Sequence, residues 1–370
     1  MIHPAVAPRG IRRLLGLGLA AAAAVLSVGS AARGASAFDA LVAAAKQEGS
    51  VAVNGPPLEP AREALTAGFE RAYGIKVLYE SGGGPAAAAR VRAERAAGKY
   101  LLDVMISGPD TPLLTFLPNG WLDRVEPVLV DPRVTDPRVW KGGHLLYADP
   151  QRTILRLSQF VTPDLAINTR LVKPGEITTW KSLLDPRWQG KFIAKDPTIS
   201  GAGASLISYF YITFGPEFVK RLYSVQKPVL TRDQRQAVQW LAQGNYPIFV
   251  GADLTTVLLF QQQGYPLQMV TASDGPGILS GGFGLVSLIN RAPHPNAAKL
   301  FVNWIASRDG SDAFARSMME LSLRNDVSGS EMPPYEIPRK NVRYMDTYGY
   351  EFVTVQRDAA FEKVRTLLGL

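Results

Sequence analysis

The chain of 370 residues contains no cysteine and three histidines. No disulfide can brace it, no thiolate can bind metal or attack a substrate, and no N-terminal cysteine can carry a lipid. Beyond His3, only His144 and His294 remain, and neither has a partner at metal-ligand spacing. The G-x-S-x-G elbow of serine hydrolases does not occur, so a secreted hydrolase lacks its parts. Paired acids could serve a glycosidase, but nothing in the pattern selects two. The longest apolar run, Leu14 to Val28, falls short of the ~20 residues that span a bilayer.

That run belongs to a leader. Arg9, Arg12 and Arg13 precede it, and Ala35-Ser36-Ala37 follows with the small residues of a signal-peptidase site. Cleavage is expected after Ala37, placing a soluble protein in the periplasm. Arg12-Arg13 with Leu-Leu-Gly is part of a twin-arginine pattern, which leaves the export route open. Removing Arg9, Arg12, Arg13 and Arg33 lowers the formal charge from +8 to +4. A charge so small and scattered marks a solvated surface and excludes a nucleic-acid stripe.

What is present alternates. Helical patterns over Phe38 to Glu48, Glu59 to Tyr73 and Ala86 to Ala97 are interleaved with strand patterns at Ser50 to Asn54, Ile75 to Tyr79 and Asp103 to Ile106. Such alternation predicts an α/β fold with mainly parallel sheets flanked by helices. Thr111 to Arg156 reads as irregular, Ser158 to Asn168 as a strand leaving a first lobe, and Pro295 to Ala306 as a helix with a buried face. The expected organisation is a discontinuous first lobe (38–160 and 275–330), a second lobe (161–274), two crossing strands, and a C-terminal helical segment (331–370) packed on the first lobe.

Several phrases resemble a known family. Thr179-Trp-Lys-Ser-Leu-Leu-Asp-Pro-Arg-Trp-Gln-Gly-Lys191, Asp196-Pro197, Ser200-Gly201, Gly244-Asn-Tyr-Pro-Ile248, Gly264-Tyr-Pro-Leu267 and Ala292 to Phe301 run in the family's order. So do Gly74-Ile-Lys-Val77, Ser81-Gly82-Gly83 and Asn168-Thr169. The pattern is similar to that of extracellular solute-binding proteins of ABC importers, type II periplasmic-binding fold, in the ferric-type branch. The resemblance implies two lobes that close on a solute by hinge bending and deliver it to a membrane permease. It implies a monomer with no cofactor and no enzymatic step. A ligand-presenting sensor subunit uses the same fold.

The implied site lies where helices begin at strand ends. Ser81, Gly82 and Gly83 precede one helix; Ser200, Gly201, Ala202, Gly203 and Ser205 open another. A helix start offers about four free N–H groups and roughly half a positive charge. Bare glycine and serine leave these open to an anion. Each loop alone is also explained as a plain turn or a tightly packed one. Asn54, Ser107 and Asp253 occupy similar strand ends, and Arg152 or Arg156 could donate to an anion.

Ferric carriers of this branch are implied to hold metal through a tyrosine pair after the segment matching Gly244 to Ile248. Here that stretch reads Phe249-Val-Gly-Ala-Asp-Leu-Thr-Thr256. Tyr344, Tyr348 and Tyr350 cluster outside the expected site. The expected solute is therefore a small organic anion, with ferric iron as the alternative.

Overall fold

The computed structural model describes residues 37–199, 201–329 and 332–370. The leader before Ala37 and the candidate Ser200 lie outside the described residues.

Helix α1 (37–48) leads into strand β1 (Ser50–Gly55). Helix α2 (Glu59–Tyr73) buries Ala61, Leu65 and Phe69, spaced four apart on one stripe. Gly74 ends it in the left-handed conformation at φ 70°, its N–H reaching the Glu70 carbonyl. Strand β2 (Lys76–Ser81), helix α3 (Gly84–Ala96) and strand β3 (Val104–Ser107) complete the pattern. The irregular stretch that follows holds a π-helical segment (Thr111–Phe116), β4 (Leu122–Asp123), the single-turn α4 (Pro132–Thr135) and β5 (Ile154–Arg156), with short 3-10 turns between.

Next come β6 (Phe160–Thr162), β7 (Leu165–Asn168), β8 (Phe192–Lys195), α5 (Ala202–Lys220) and β9 (Val229–Thr231). Helix α6 (Gln234–Gln243), β10 (Ile248–Val250), α7 (Leu254–Gln262) and β11 (Leu267–Met269) finish this half. The chain then returns through β12 (Gly277–Ser280) and β13 (Leu285–Ile289) to helices α8 (Pro295–Ala306) and α9 (Arg308–Met318). It ends with β14 (Tyr344–Asp346) and α10 (Arg357–Leu368).

Three sheets result. The first has the order β2-β1-β3-β13-β4, with β5 also paired to β13; the second is β11-β7-β10-β8-β9. In the first sheet β1 runs parallel to β2 and β3, and the returning β13 lies antiparallel to β3. A third sheet, β14-β12-β6, stands where the chain passes between the two larger ones. Two crossing strands were expected here. The third comes from the C-terminal segment, whose Tyr344–Asp346 pairs in parallel with β12.

Two other expectations are corrected. Ser158 to Asn168 is not one strand: Asp164 takes φ 51° after Pro163, turning the chain out of the third sheet and into the second. The C-terminal segment does not settle wholly on the first lobe. Phe352 and Val353 join Leu113, Ile154 and Leu285 of the first half. Helix α10 instead lies along α5, with Val364 buried in the second core and Phe361, Leu367 and Leu368 packed beside it. Apolar area on α5 that its own sheet leaves uncovered decides this placement.

The first core centres on Phe69, fully buried and in contact with Phe301 and Trp304 at ring-centroid distances of 5.0 and 5.5 Å. Edge-to-face rings at this spacing gain more than their buried area. Phe69→Ala is expected to cost about 3–5 kcal/mol in denaturant unfolding. A loss below 1 kcal/mol would mean that this ring cluster does not organise the first half.

Candidate functional site

Between the two large sheets lies a cavity of about 500 Å³ whose walls come from both halves and from the third sheet. Pro57, Pro109, Phe283, Met318 and Met319 face it from one side; Lys195, the start of α5 and the start of α7 face it from the other. Phe160, Thr162, Ile278 and Ser280 of the third sheet form a further wall. A larger concavity of about 770 Å³, near Lys181, Arg187 and Glu217, is lined from the second half alone. Only the smaller cavity can change when the halves move, so it is the candidate site.

Local backbone chemistry shapes the α5 end of the cleft. Gly201 precedes the helix at φ 87°, ψ −125°, a conformation that disfavours any side chain. Gly203 is bare for another reason, since a Cβ there would stand 2.3 Å from the Asp196 carbonyl oxygen. Tight packing thus explains Gly203, while Gly201, Ala202 and Ser205 line the cleft. Buried Arg357 of α10 donates to Asp110 of the first half at 2.7 Å and to Ser205 at 3.3 Å, tying the two walls.

The charge of the lining is acidic. Asp164, Asp253, Glu320 and Glu336 face the cavity against the single cation Lys195. Asp253 caps α7 by accepting the Thr256 N–H at 2.8 Å. Burial raises Asp164 to about 6, with the Thr162 hydroxyl at 3.1 Å and Lys195 opposing the shift. Burial likewise pushes Glu320 up to about 7, although Ser158 Oγ at 2.7 Å and the Phe283 N–H at 2.9 Å favour its anion. Glu336 rises to about 8, through burial first and the neighbouring Glu320 second. Neither of its carboxyl oxygens has a hydrogen-bond partner.

Two phenols also line the cleft, and both are engaged. Tyr209 donates to the Pro276 carbonyl at 2.7 Å and Tyr348 to that of Gly282 at 2.6 Å. Burial lifts Tyr209 to about 12 and Tyr348 higher still, so neither is near its phenolate.

This architecture has known counterparts. Residues 50–319 match the family model described as bacterial extracellular solute-binding protein. The chain belongs to that family. An uncharacterized protein of Haemophilus influenzae is 26% identical over 320 residues, covering 81% of this chain and 85% of that protein. In structure, this solute-binding protein resembles periplasmic AfuA of Actinobacillus pleuropneumoniae, solved with fructose-6-phosphate. The match has a TM-score of 0.65 and 20% identity over 87% of this chain and 99% of that one. Iron-bound HitA of Pseudomonas aeruginosa matches with a TM-score of 0.66 and 19% identity, over the same shares of the two chains. These likenesses establish the two-lobed type II periplasmic-binding fold expected from the sequence.

Of the residues singled out by sequence, Gly201, Ala202, Ser205 and Asp253 come together on the cleft of this solute-binding protein. The first-half set does not join them. Ser81 and Gly83 are exposed outside the cavity, and Gly82 lies against Asn54, whose Nδ2 donates to the Glu80 carbonyl. Ser107 is buried and donates to the Gly108 carbonyl. Arg156 is buried against Asp346 and Arg152 pairs with Glu126, so neither is free to hold an anion. His294 ties Asp103 to Ser50, and exposed His144 meets the Gly142 carbonyl.

Sequence reading missed Asp164, Lys195, Glu320, Glu336 and Tyr348. Tyr348, placed outside the site by its position near the C-terminus, reaches it because β14 completes the third sheet. No motif surrounds Glu320 or Glu336. A charged residue following the apolar end of α9 was the single available hint.

The raised carboxyls have a measurable consequence. An unfolded glutamate loses its proton near pH 4.3, whereas folded Glu336 keeps it to about 8. Across that window the folded state binds more protons, so stability falls as pH rises and levels off above it. Asp164 and Glu320 act in the same sense over narrower windows ending near 6 and 7. The solute-free protein is expected to melt roughly 3 °C or more lower at pH 8.5 than at pH 5.5, with a smaller fall in Glu336→Gln. Identical slopes for the two proteins in calorimetric scans would show that Glu336 is not buried as described.

Proposed function

We propose that this chain is the periplasmic solute receptor of an ABC importer, capturing one small organic molecule between its lobes and delivering it to a membrane permease. The observation that carries this reading is the cleft itself: a 500 Å³ cavity with walls from both large sheets, bounded by the short third sheet that joins them. Cavities of this size suit a single small molecule. One chain supplies walls on both sides of the cavity, which suits capture by a monomer. Hinge bending at the third sheet would close the walls and present a changed surface to the permease.

The sequence points to an anion at the start of α5. Gly201, Ala202, Ser205 and Lys195 do face the cleft and supply donors there. Four carboxyl groups share the same lining, however, and their oxygens outnumber these donors. The small organic anion expected from sequence is therefore not the reading we favour. Nor is ferric iron, although HitA was solved with iron bound. Fe(III) favours phenolate and carboxylate oxygens, and the hydroxyls of both cleft tyrosines are already engaged with backbone carbonyls.

The test begins with protein prepared from periplasm under non-denaturing conditions. Mass spectrometry is expected to show one small molecule per chain, released on unfolding and recovered chemically intact. X-ray scattering should then show the refolded, emptied protein expand, and contract again when the recovered molecule is returned. An unchanged scattering profile would overturn capture by cleft closure, and a chemically altered product would point to an enzyme.

A further inference from the structure

Glu336 is 1% exposed, its two carboxyl oxygens have no partner, and it lines the cleft. A carboxyl group offers one donor and several acceptor positions when protonated and about four acceptor positions when ionised. Burying it with none filled is costly enough that such groups are rare away from functional sites. The turn that carries it, Pro334–Glu336, lies against β6 of the third sheet. Glu320, also buried and on the same lining, is a close electrostatic neighbour. Its carboxyl meets two donors, the Ser158 hydroxyl and the Phe283 N–H, both uncharged.

No cation of the described residues is placed to neutralise this pair. Lys195 acts on Asp164, with Asp253 close by. Arg156 is bound to Asp346, and Arg357 to Asp110. The same lining carries rings and thioethers, Phe160, Phe283, Tyr348, Met318 and Met319, beside the hydroxyls of Ser280 and Thr347. Aromatic faces attract organic cations, and thioethers accommodate their carbon chains. Among the described residues no group of three His, Asp or Glu stands ready for a metal ion.

We propose that the cleft binds a protonated primary or secondary amine, whose ammonium group takes the empty oxygens of Glu336 beside Glu320 while its carbon body lies on the aromatic and methionine wall. The unfilled carboxyl selects an N–H-bearing amine over a quaternary ammonium. Rings alone satisfy a quaternary group, but only N–H donors can fill the Glu336 acceptors. The assignment rests on the cleft reading given above and narrows it to a chemical class.

Isothermal titration calorimetry on the emptied, leader-free protein at pH 7.5 tests it with matched probes. Benzylamine, 1,4-diaminobutane and spermidine are set against benzyl alcohol, 1,4-butanediol, succinate and benzyltrimethylammonium. At least one amine is expected to bind one per chain, about tenfold or more tighter than its uncharged, anionic or quaternary counterparts. Glu336→Gln should weaken that amine by about 30-fold or more. The free variant should melt no lower than the parent at pH 7.5, which shows that it is folded. The amine assignment is overturned if the alcohols or succinate bind as tightly, if none of the three amines binds, or if the folded variant keeps its amine affinity. Contraction of the protein around the molecule recovered from periplasm is independent of these titrations, so the cleft reading can survive that failure.

Discussion

The carboxyl group of Glu320 is the constraint on which the arrangement turns. It stands after α9, accepts the Ser158 hydroxyl just before β6, and accepts the Phe283 N–H just before β13. Three distant passages of chain therefore meet at one buried acid where the halves join. Gly282 is bare at this point, since a Cβ there would overlap Glu320 Oε1. The third sheet is built around this junction, and the cleft is what remains between the sheets that it holds apart.

The same junction concentrates cost. Glu320 and Glu336 are removed from water beside each other, with no cation on hand and only one of them hydrogen-bonded. A protein selected for stability alone would place apolar residues here, because buried ionisable groups seldom repay their desolvation. Retaining two acids in a cavity that one small molecule can fill makes sense if the molecule supplies what the fold withholds. Locally unfavourable groups gathered in a cleft are how binding sites commonly differ from cores. Arg357 shows the opposite case, a buried charge fully used, bridging Asp110 and Ser205 across the cleft.

Much of the architecture was legible in the residues. The stripe Ala61, Leu65 and Phe69 with Gly74 behind it defines α2, and Pro295 with the apolar run after it defines α8, both at the expected bounds. Periodicity and caps are local properties, so such elements can be read without knowing their neighbours. The strand expected from Ser158 to Asn168 failed at Asp164, where the path of the chain between sheets overrides a strand-like pattern. The site was half legible. Bare residues at the start of α5 lie on the cleft wall, whereas the similar string Ser81-Gly82-Gly83, running from the end of β2 to α3, lies outside the cavity lining.

The sequence by itself determined the alternation of helices and strands, the family and the end of α5 that opens on the cleft. These follow from spacing, caps and backbone permissiveness within short windows. Only the tertiary structure decided which titratable groups share the cleft. Asp164, Lys195, Glu320 and Glu336 come from separate passages of the chain, and their meeting in one cavity depends on how β6, β12 and β14 pair. Electrostatics depends on distance in space and on exclusion of water, neither of which is written in the order of residues. Serines and glycines at a helix start suggest an anion when read alone, whereas the buried carboxyls across the cavity, on which the amine proposal rests, enter only with the fold.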